Sequence, residues 1–279
     1  MRPVDQQVVL ITGATDGLGR ELARELASRG ATVLLHGRNA GKGAAAARQI
    51  QEATGEELPA FYLADFSSLA EVRGLADQIL AEHDRLDVLV NNAGIGTAWR
   101  GRSEREVSED GYELRFAVNY LAPFLLTRLL LPLLARSAPA RIVNVASAGQ
   151  AAIDFDDVML GRTYSGVQAY CQSKLADVML TFDLADELRG HGVTANCLHP
   201  GTFMPTQMVL EAGVTPVDSL ESGVEATLRL VVDPELDGVT GKYFERLREA
   251  RAHAQAYDVD ARRRLRELSV ELVRAPAPA

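Results

Sequence analysis

The strongest constraint on this chain is a repeated change of pattern, in which short continuous apolar runs alternate with longer segments of helical spacing. The runs lie at residues 8–11, 32–35, 60–63, 88–90, 141–145 and 193–198, with a seventh around 241–244. Being continuously apolar rather than alternating, they predict strands covered on both faces. Between them the spacing predicts helices at 20–29, 69–82, 112–135 and 169–189. Strand–helix alternation leads to a parallel sheet with right-handed crossovers, the doubly wound α/β arrangement with helices on both faces. No repeat or long linker divides the 279 residues, so a single domain is expected over 1–279. Its charged segments 245–256 and 260–273 read as a helical C-terminal extension, ended by a frayed Pro/Ala tail at 275–279.

With 47% hydrophobic and 24% charged residues the chain can bury a large core. Its net charge of -9 and pI of about 5.2 repel phosphate backbones, which argues against a nucleic-acid partner. An anionic cofactor must then be held by local donors. Only Cys171 and Cys197 carry thiols, without a CxxC or a His-rich companion, so neither a disulfide framework nor a metal site is expected, and a reducing cytoplasm fits. No charged-then-apolar leader precedes residue 8. The most apolar stretch, 121–135, is interrupted by Pro123, Arg128 and Pro132 and falls short of the roughly 20 apolar residues of a membrane span. The expectation is a protein that does not enter membranes.

The first apolar run ends in Thr12-Gly13-Ala14-Thr15-Asp16-Gly17-Leu18-Gly19, and a helical pattern follows. Glycines there let the backbone turn tightly and bring helix N-terminal amides against a pyrophosphate. After the second run stand His36-Gly37-Arg38-Asn39. Folds that prefer NAD place an acid at this point to bond the ribose 2′-hydroxyl. Arg38 instead offers a guanidinium suited to a 2′-phosphate, which argues for NADP(H) over NAD(H). Asp16 stands in the glycine loop where some NADP enzymes put a base. Asp65 with Phe66, and Asn91-Asn92-Ala93-Gly94, follow the third and fourth runs, at the strand ends where open α/β sheets bind ligands.

Tyr170 and Lys174 are four apart in a helical pattern, so phenol and ammonium share one face. A nearby cation stabilises phenolate, which makes such a tyrosine a workable proton donor and acceptor. Ser147 ends the fifth run and can donate to a substrate oxygen. Asn119 is a polar residue inside the apolar helix at 112–135.

Taken in order, these motifs, with His199-Pro200-Gly201-Thr202, resemble the short-chain dehydrogenase/reductase family, in its ordinary rather than extended branch. The resemblance covers about residues 5–273. It implies a Rossmann fold and an NADP-dependent enzyme moving a hydride between nicotinamide and a carbonyl or alcohol. Tyr170 would be the acid/base, Lys174 would hold the nicotinamide ribose, Ser147 would orient the substrate oxygen, and Asn119 would fix a water relaying protons to Lys174. Asp65 and Asn91 would contact the cofactor, Pro200, Gly201 and Thr202 would flank the nicotinamide, and Cys171 would pack. Ser147 and Tyr170 lie twenty-three residues apart, wider than is common in the family. This insertion, with Gly241-Lys242-Tyr243-Phe244 and the segment 262–273, resembles the retinol-dehydrogenase-like and WW-domain-oxidoreductase-like subgroup. Animal retinol enzymes of that kind carry an N-terminal membrane anchor without counterpart before residue 8, so retinoid specificity is not carried over. The substrate is expected to be apolar, with Trp99, Phe155, Phe203 and Met204 as candidate pocket walls. The helices at 112–135 and 169–189 carry more apolar residues than one packing face requires, and in the family such helices pair across a dimer, so a homodimer or tetramer is expected. Use of NAD, or a dinucleotide-binding regulator without turnover, are the alternative readings.

Overall fold

The structure, a computed structural model, describes residues 1–97 and 104–274. Strands β1 (Val8–Ile11), β2 (Thr32–Gly37), β3 (Ala60–Leu63), β4 (Val88–Asn91), β5 (Ala140–Val145), β6 (Val193–His199), β7 (Lys242–Glu245) and β8 (Arg248–Ala250) form one sheet in the order β3-β2-β1-β4-β5-β6-β7-β8. Every pairing is parallel except β7 with β8. The crossovers are made by α1 (Gly17–Ala27), α2 (Ala40–Thr54), α3 (Leu69–Glu82), the continuous segment α4 (Leu114–Phe116), π turn (Ala117–Leu121) and α5 (Ala122–Arg136), then α6 (Gly166–Glu187), α7 (Gln207–Glu211) and α8 (Leu220–Val232). A last helix, α9 (Val259–Arg274), follows the sheet.

The continuous apolar strands do what their pattern requires. On β1, Val9 and Ile11 face a core made with Leu22 and Leu26 of α1, Ile50 of α2 and Val231 of α8. Leu10 faces the opposite core with Leu75 of α3, Leu130 of α5 and Leu175 of α6. Side chains alternate across the sheet, and helices cover both faces, so both sides must be apolar.

One expectation about the C-terminal third is corrected. Residues 245–256 are not a helix: β8 turns back antiparallel on β7, and Ala254–Tyr257 forms a 3-10 turn. Charged residues suit this edge strand, where Lys242 Nζ meets Glu249 Oε1 at 2.7 Å in solvent. The segment 275–279 lies outside the described residues. The apolar surplus of α6 has a partner within the chain. Residues 172–185 of α6 are buried within one chain. The sheet covers one side of α6, and α9 packs on the other. Ala261, Leu265, Ser269 and Val273 form the buried stripe of α9 at four-residue spacing. Ser269 Oγ lies 2.7 Å from the Tyr120 hydroxyl, and Arg262 and Arg266 reach Asp186 and Asp183 on α6 at 2.9 and 3.3 Å. Part of the apolar surface of α6 is therefore covered inside the chain by α9. The 114–136 segment is long and apolar enough to cross a bilayer, yet 78% of its most apolar window is buried in the fold.

Leu265 is 1% exposed at the centre of the α9 stripe. Leu265→Ala should lower unfolding stability by about 2–5 kcal/mol, the range for truncating a buried leucine. Glu267→Ala, on the exposed face of α9, should change it by less than about 0.5 kcal/mol. Urea denaturation of both variants checks the contrast.

Candidate active site

Strand order reverses where β1 lies between β2 and β4, and a cleft of about 950 Å³ opens at the C-terminal ends of these strands. Open α/β sheets bind ligands at this point, and the volume is at the upper end for small-molecule sites.

One rim is the glycine loop, from Gly13 and Thr15 through Asp16, Gly17, Leu18 and Gly19. Gly13 has φ +65°, and a Cβ there would come 2.8 Å from Ala93 Cα. A Cβ on Gly19 would strike the Gly13 carbonyl oxygen and lie 2.5 Å from Asn92 Nδ2. Only glycine permits this flat approach of backbone to cleft. Thr12 and Asn92 tie the loop to the β4 rim. Thr12 Oγ1 accepts the amides of Asn92 and Ala93 at 2.9 and 3.0 Å, and Asn92 Nδ2 donates to the carbonyls of Thr12 and Gly13 at 2.8 and 3.2 Å. Asp16 caps α1 by accepting the Gly17 amide at 2.7 Å.

Arg38, Asp65 and Phe66 line the neighbouring wall. Between them stands His36, which sequence reasoning passed over. Its ring stacks on Phe66 at 4.3 Å, its Nδ1 accepts the Gly13 amide at 3.3 Å, and its Nε2 then donates to the Ala64 carbonyl at 3.0 Å. Burial pushes this imidazole down to about 4, which keeps it neutral near pH 7. The sequence signal was its place two residues before Arg38.

The other end of the cleft holds the chemically capable groups. Ser147 leaves β5, and its Oγ accepts the Gly149 amide at 3.0 Å. The insertion after it loops outward and is pinned at several points. Gln172 Oε1 accepts the Asp154 amide at 3.1 Å, and Gln172 Nε2 reaches the Val158 carbonyl at 2.8 Å. Tyr164 donates to Glu113 Oε1 at 2.9 Å, and the fully buried Arg115 meets Tyr164, Gly96 and Thr97 at 2.6, 2.9 and 2.9 Å. Chain return through Ser165, the N-cap of α6, brings Tyr170 back to Ser147. A Cβ on Gly149 would lie 3.5 Å from Ser147 Oγ and 3.8 Å from Tyr170 Cε1. One turn on, Lys174 lines the cleft with its Nζ on the Val145 carbonyl and Asp177 Oδ2, both at 2.9 Å. Burial opposes the Lys174 charge, but Asp177 and Tyr170 leave its pKa raised overall. Pro200, Gly201 and Thr202 close the floor after β6, where burial lowers the His199 imidazole.

Other anticipated residues sit elsewhere. Asn91 is absent from the cleft lining: its Nδ2 binds Asn144 Oδ1 at 2.8 Å and Thr127 Oγ1 at 3.0 Å behind the sheet edge. Asn119, in the π turn, also stands behind the cleft. It accepts the Ile95 amide at 2.7 Å and donates to the Ile95 carbonyl and Ser173 Oγ at 3.1 and 3.0 Å. Both of its side-chain N–H donors are used in bracing the cleft wall, with its Oδ1 and the Lys174 Nζ on the same side of Gly94. Cys171 lines the cleft beside Gly149 instead of packing in the core. Phe155 packs under Arg264, 4.7 Å from its guanidinium carbon, away from the cleft. Phe203 and Met204 do line it, with Leu114, Val118, Met208 and Val209 as further apolar wall; Trp99 lies outside the described residues. Among the described residues no cluster of His, Cys, Asp or Glu could hold a metal ion.

A doubly wound sheet with a glycine loop at its switch point, and a Ser, Tyr and Lys at the far end of one cleft, defines a dinucleotide-binding oxidoreductase fold. Residues 7–215 match the short chain dehydrogenase family. Retinol dehydrogenase 13 of Homo sapiens is 39% identical over 98% of this chain and 86% of its own length, and retinol dehydrogenase 11 of Homo sapiens is 36% identical over 97% and 86%. Among solved structures, an uncharacterised protein from Mycobacterium paratuberculosis superimposes with a TM-score of 0.78 at 31% identity, covering 98% of this chain and 96% of that one. A short chain dehydrogenase from Escherichia coli CFT073 complexed with NADPH gives 0.70 at 31% identity, covering 87% and 97%. The chain belongs to the short-chain dehydrogenase/reductase family, in its retinol-dehydrogenase-like subgroup, and is an oxidoreductase.

The tight glycine cradle generates a direct test. Gly19→Ala should leave the circular dichroism spectrum native while weakening NADPH binding at least tenfold, because the new methyl group must displace the Gly13 carbonyl or the Asn92 amide. Calorimetric titration checks it. Wild-type affinity in this variant would show that the loop is not the pyrophosphate seat.

Proposed function

We propose that this protein transfers a hydride between NADP(H) and an apolar alcohol or its carbonyl counterpart, with Tyr170 as acid/base. The observation that carries this reading is the convergence of Ser147 Oγ and the Tyr170 ring around Gly149, with the Lys174 ammonium one helical turn behind. The glycine loop fits a pyrophosphate by its open backbone, and Arg38 with Asp65 and Phe66 would receive the adenosine end. When bound, the nicotinamide supplies or accepts the hydride. Ser147 then holds the substrate oxygen by its hydroxyl, Tyr170 gives its proton to that oxygen in reduction and takes one back in oxidation, and Lys174 stabilises the phenolate between the two events. The apolar wall from Leu114, Val118, Met204, Met208 and Val209 suits a long hydrocarbon, in keeping with relatives named as retinol dehydrogenases.

Removing the phenolic proton isolates the acid/base. Tyr170→Phe should cut kcat by roughly 10²-fold or more on a confirmed substrate while leaving NADPH affinity within a few-fold of wild type. Full turnover in the variant rules Tyr170 out.

Cofactor choice turns on Arg38. A 2′-phosphate can accept charge-assisted hydrogen bonds from the guanidinium, worth about 1.5–3 kcal/mol, or roughly ten- to a hundredfold in affinity. Wild type should therefore bind NADPH more tightly than NADH, and Arg38→Asp should reverse the order. Equal affinities in the wild type would remove Arg38 from phosphate recognition.

A further inference from the structure

Lys174 shares its buried position with a carboxylate for which the proposed reaction has no use. Asp177 stands three residues on along α6 with Oδ2 2.9 Å from Nζ, and both side chains are only 6% exposed. With a second N–H on the Val145 carbonyl, the ammonium has one donor left for a ligand in the cleft it lines. Among the described residues, the other groups that interact with the pair are phenols and a thiol. Tyr170 reaches the pair from its own helix, Tyr120 from the π turn and Cys197 from β6. Lys174 and Asp177 thus form a closely spaced pair whose net charge is zero when both are ionised. Two ions buried in low dielectric persist only by such pairing.

The sign of that sum matters to a nicotinamide ring, which is cationic when oxidised and neutral when reduced. A bare ammonium would disfavour the oxidised ring, whereas an internally neutralised one would not. We propose that Asp177 is a positioning residue that holds Lys174 and neutralises it, so that the site accepts oxidised NADP⁺ alongside NADPH. This inference rests on the nicotinamide reading above. Burial, held back by Lys174, pushes the Asp177 carboxyl up to about 6. Falling pH then converts the pair from neutral to cationic within an accessible range.

The test is calorimetric titration of wild type, Asp177→Asn and Asp177→Glu with NADP⁺ and with NADPH at pH 8 and pH 5. At pH 8 the Asn variant should show a Kd for NADP⁺ raised about tenfold relative to its Kd for NADPH, the effect of one uncompensated charge at close range. The Glu variant should keep the wild-type ratio. In wild type the ratio should move the same way on going to pH 5. In the Asn variant it should change only by what His199 contributes, and the 2′-phosphate cancels because both ligands carry it. An unchanged ratio in the Asn variant overturns the proposal. Should that variant fail to fold, a wild-type ratio that is flat between the two pH values overturns it equally. Failure of wild type to bind either dinucleotide refutes the nicotinamide reading instead, a distinguishable result.

Discussion

A parallel sheet must have its backbone groups paired within the sheet and both of its faces covered, which leaves only the strand ends open to solvent and ligands. In this chain the two cores on either face bury β1, β4 and β5 so completely that chemistry is confined to the line of their C-terminal ends. The reversal of strand order between β2, β1 and β4 then parts the covering loops and makes the cleft. Thr12 and Asn92 join the two lips with hydrogen bonds of 2.8–3.2 Å, so that the cradle and the β4 rim behave as one wall.

Behind that wall, polar side chains are spent on support. Asn91, Asn144 and Thr181 form a buried chain across β4, β5 and α6, with contacts of 2.8 Å between successive members. Asn119 clasps Ile95 through both of its backbone groups. Arg115, at 0% exposure, ties the loop at Gly96 and Thr97 to Tyr164 of the insertion, with Glu113 3.5 Å from its guanidinium. These bonds fix one arrangement of the groups they carry, although Asn91 Oδ1 is buried without a hydrogen-bond partner. The extra length between Ser147 and Tyr170 is consequently no obstacle to their meeting, because its return path is pinned to α4 and α6.

Much of the architecture was legible because strand and helix differ in period, and β1, β3 and α3 coincide with their apolar patterns to the residue. The glycine loop and the Tyr170/Lys174 pair were legible for a similar reason, since each is local and its spacing carries its geometry. What escaped depended on contacts between distant segments. A short charged strand such as β8 has no periodicity to read, and its partner β7 defines it. The apolar surface of α6 also has an internal partner, α9, some seventy residues further on, which its own pattern does not reveal. Asn91 stands at the right strand end, yet whether an asparagine faces a ligand or a neighbouring backbone is set by what packs behind it. His36 and Asp177 read as ordinary residues, and only burial beside Gly13 and Lys174 gives them a role.

The central claim is that the cleft aligns a nicotinamide with an apolar substrate beside Ser147 and Tyr170. It is tested most directly by incubating the protein with NADPH deuterated at the transferring carbon and a panel of long-chain aldehydes, retinal included, and analysing the alcohols by mass spectrometry. The account predicts that one deuterium moves from a single face of the nicotinamide ring to the carbinol carbon. Binding of the dinucleotide without deuterium transfer to any member of the panel would contradict it.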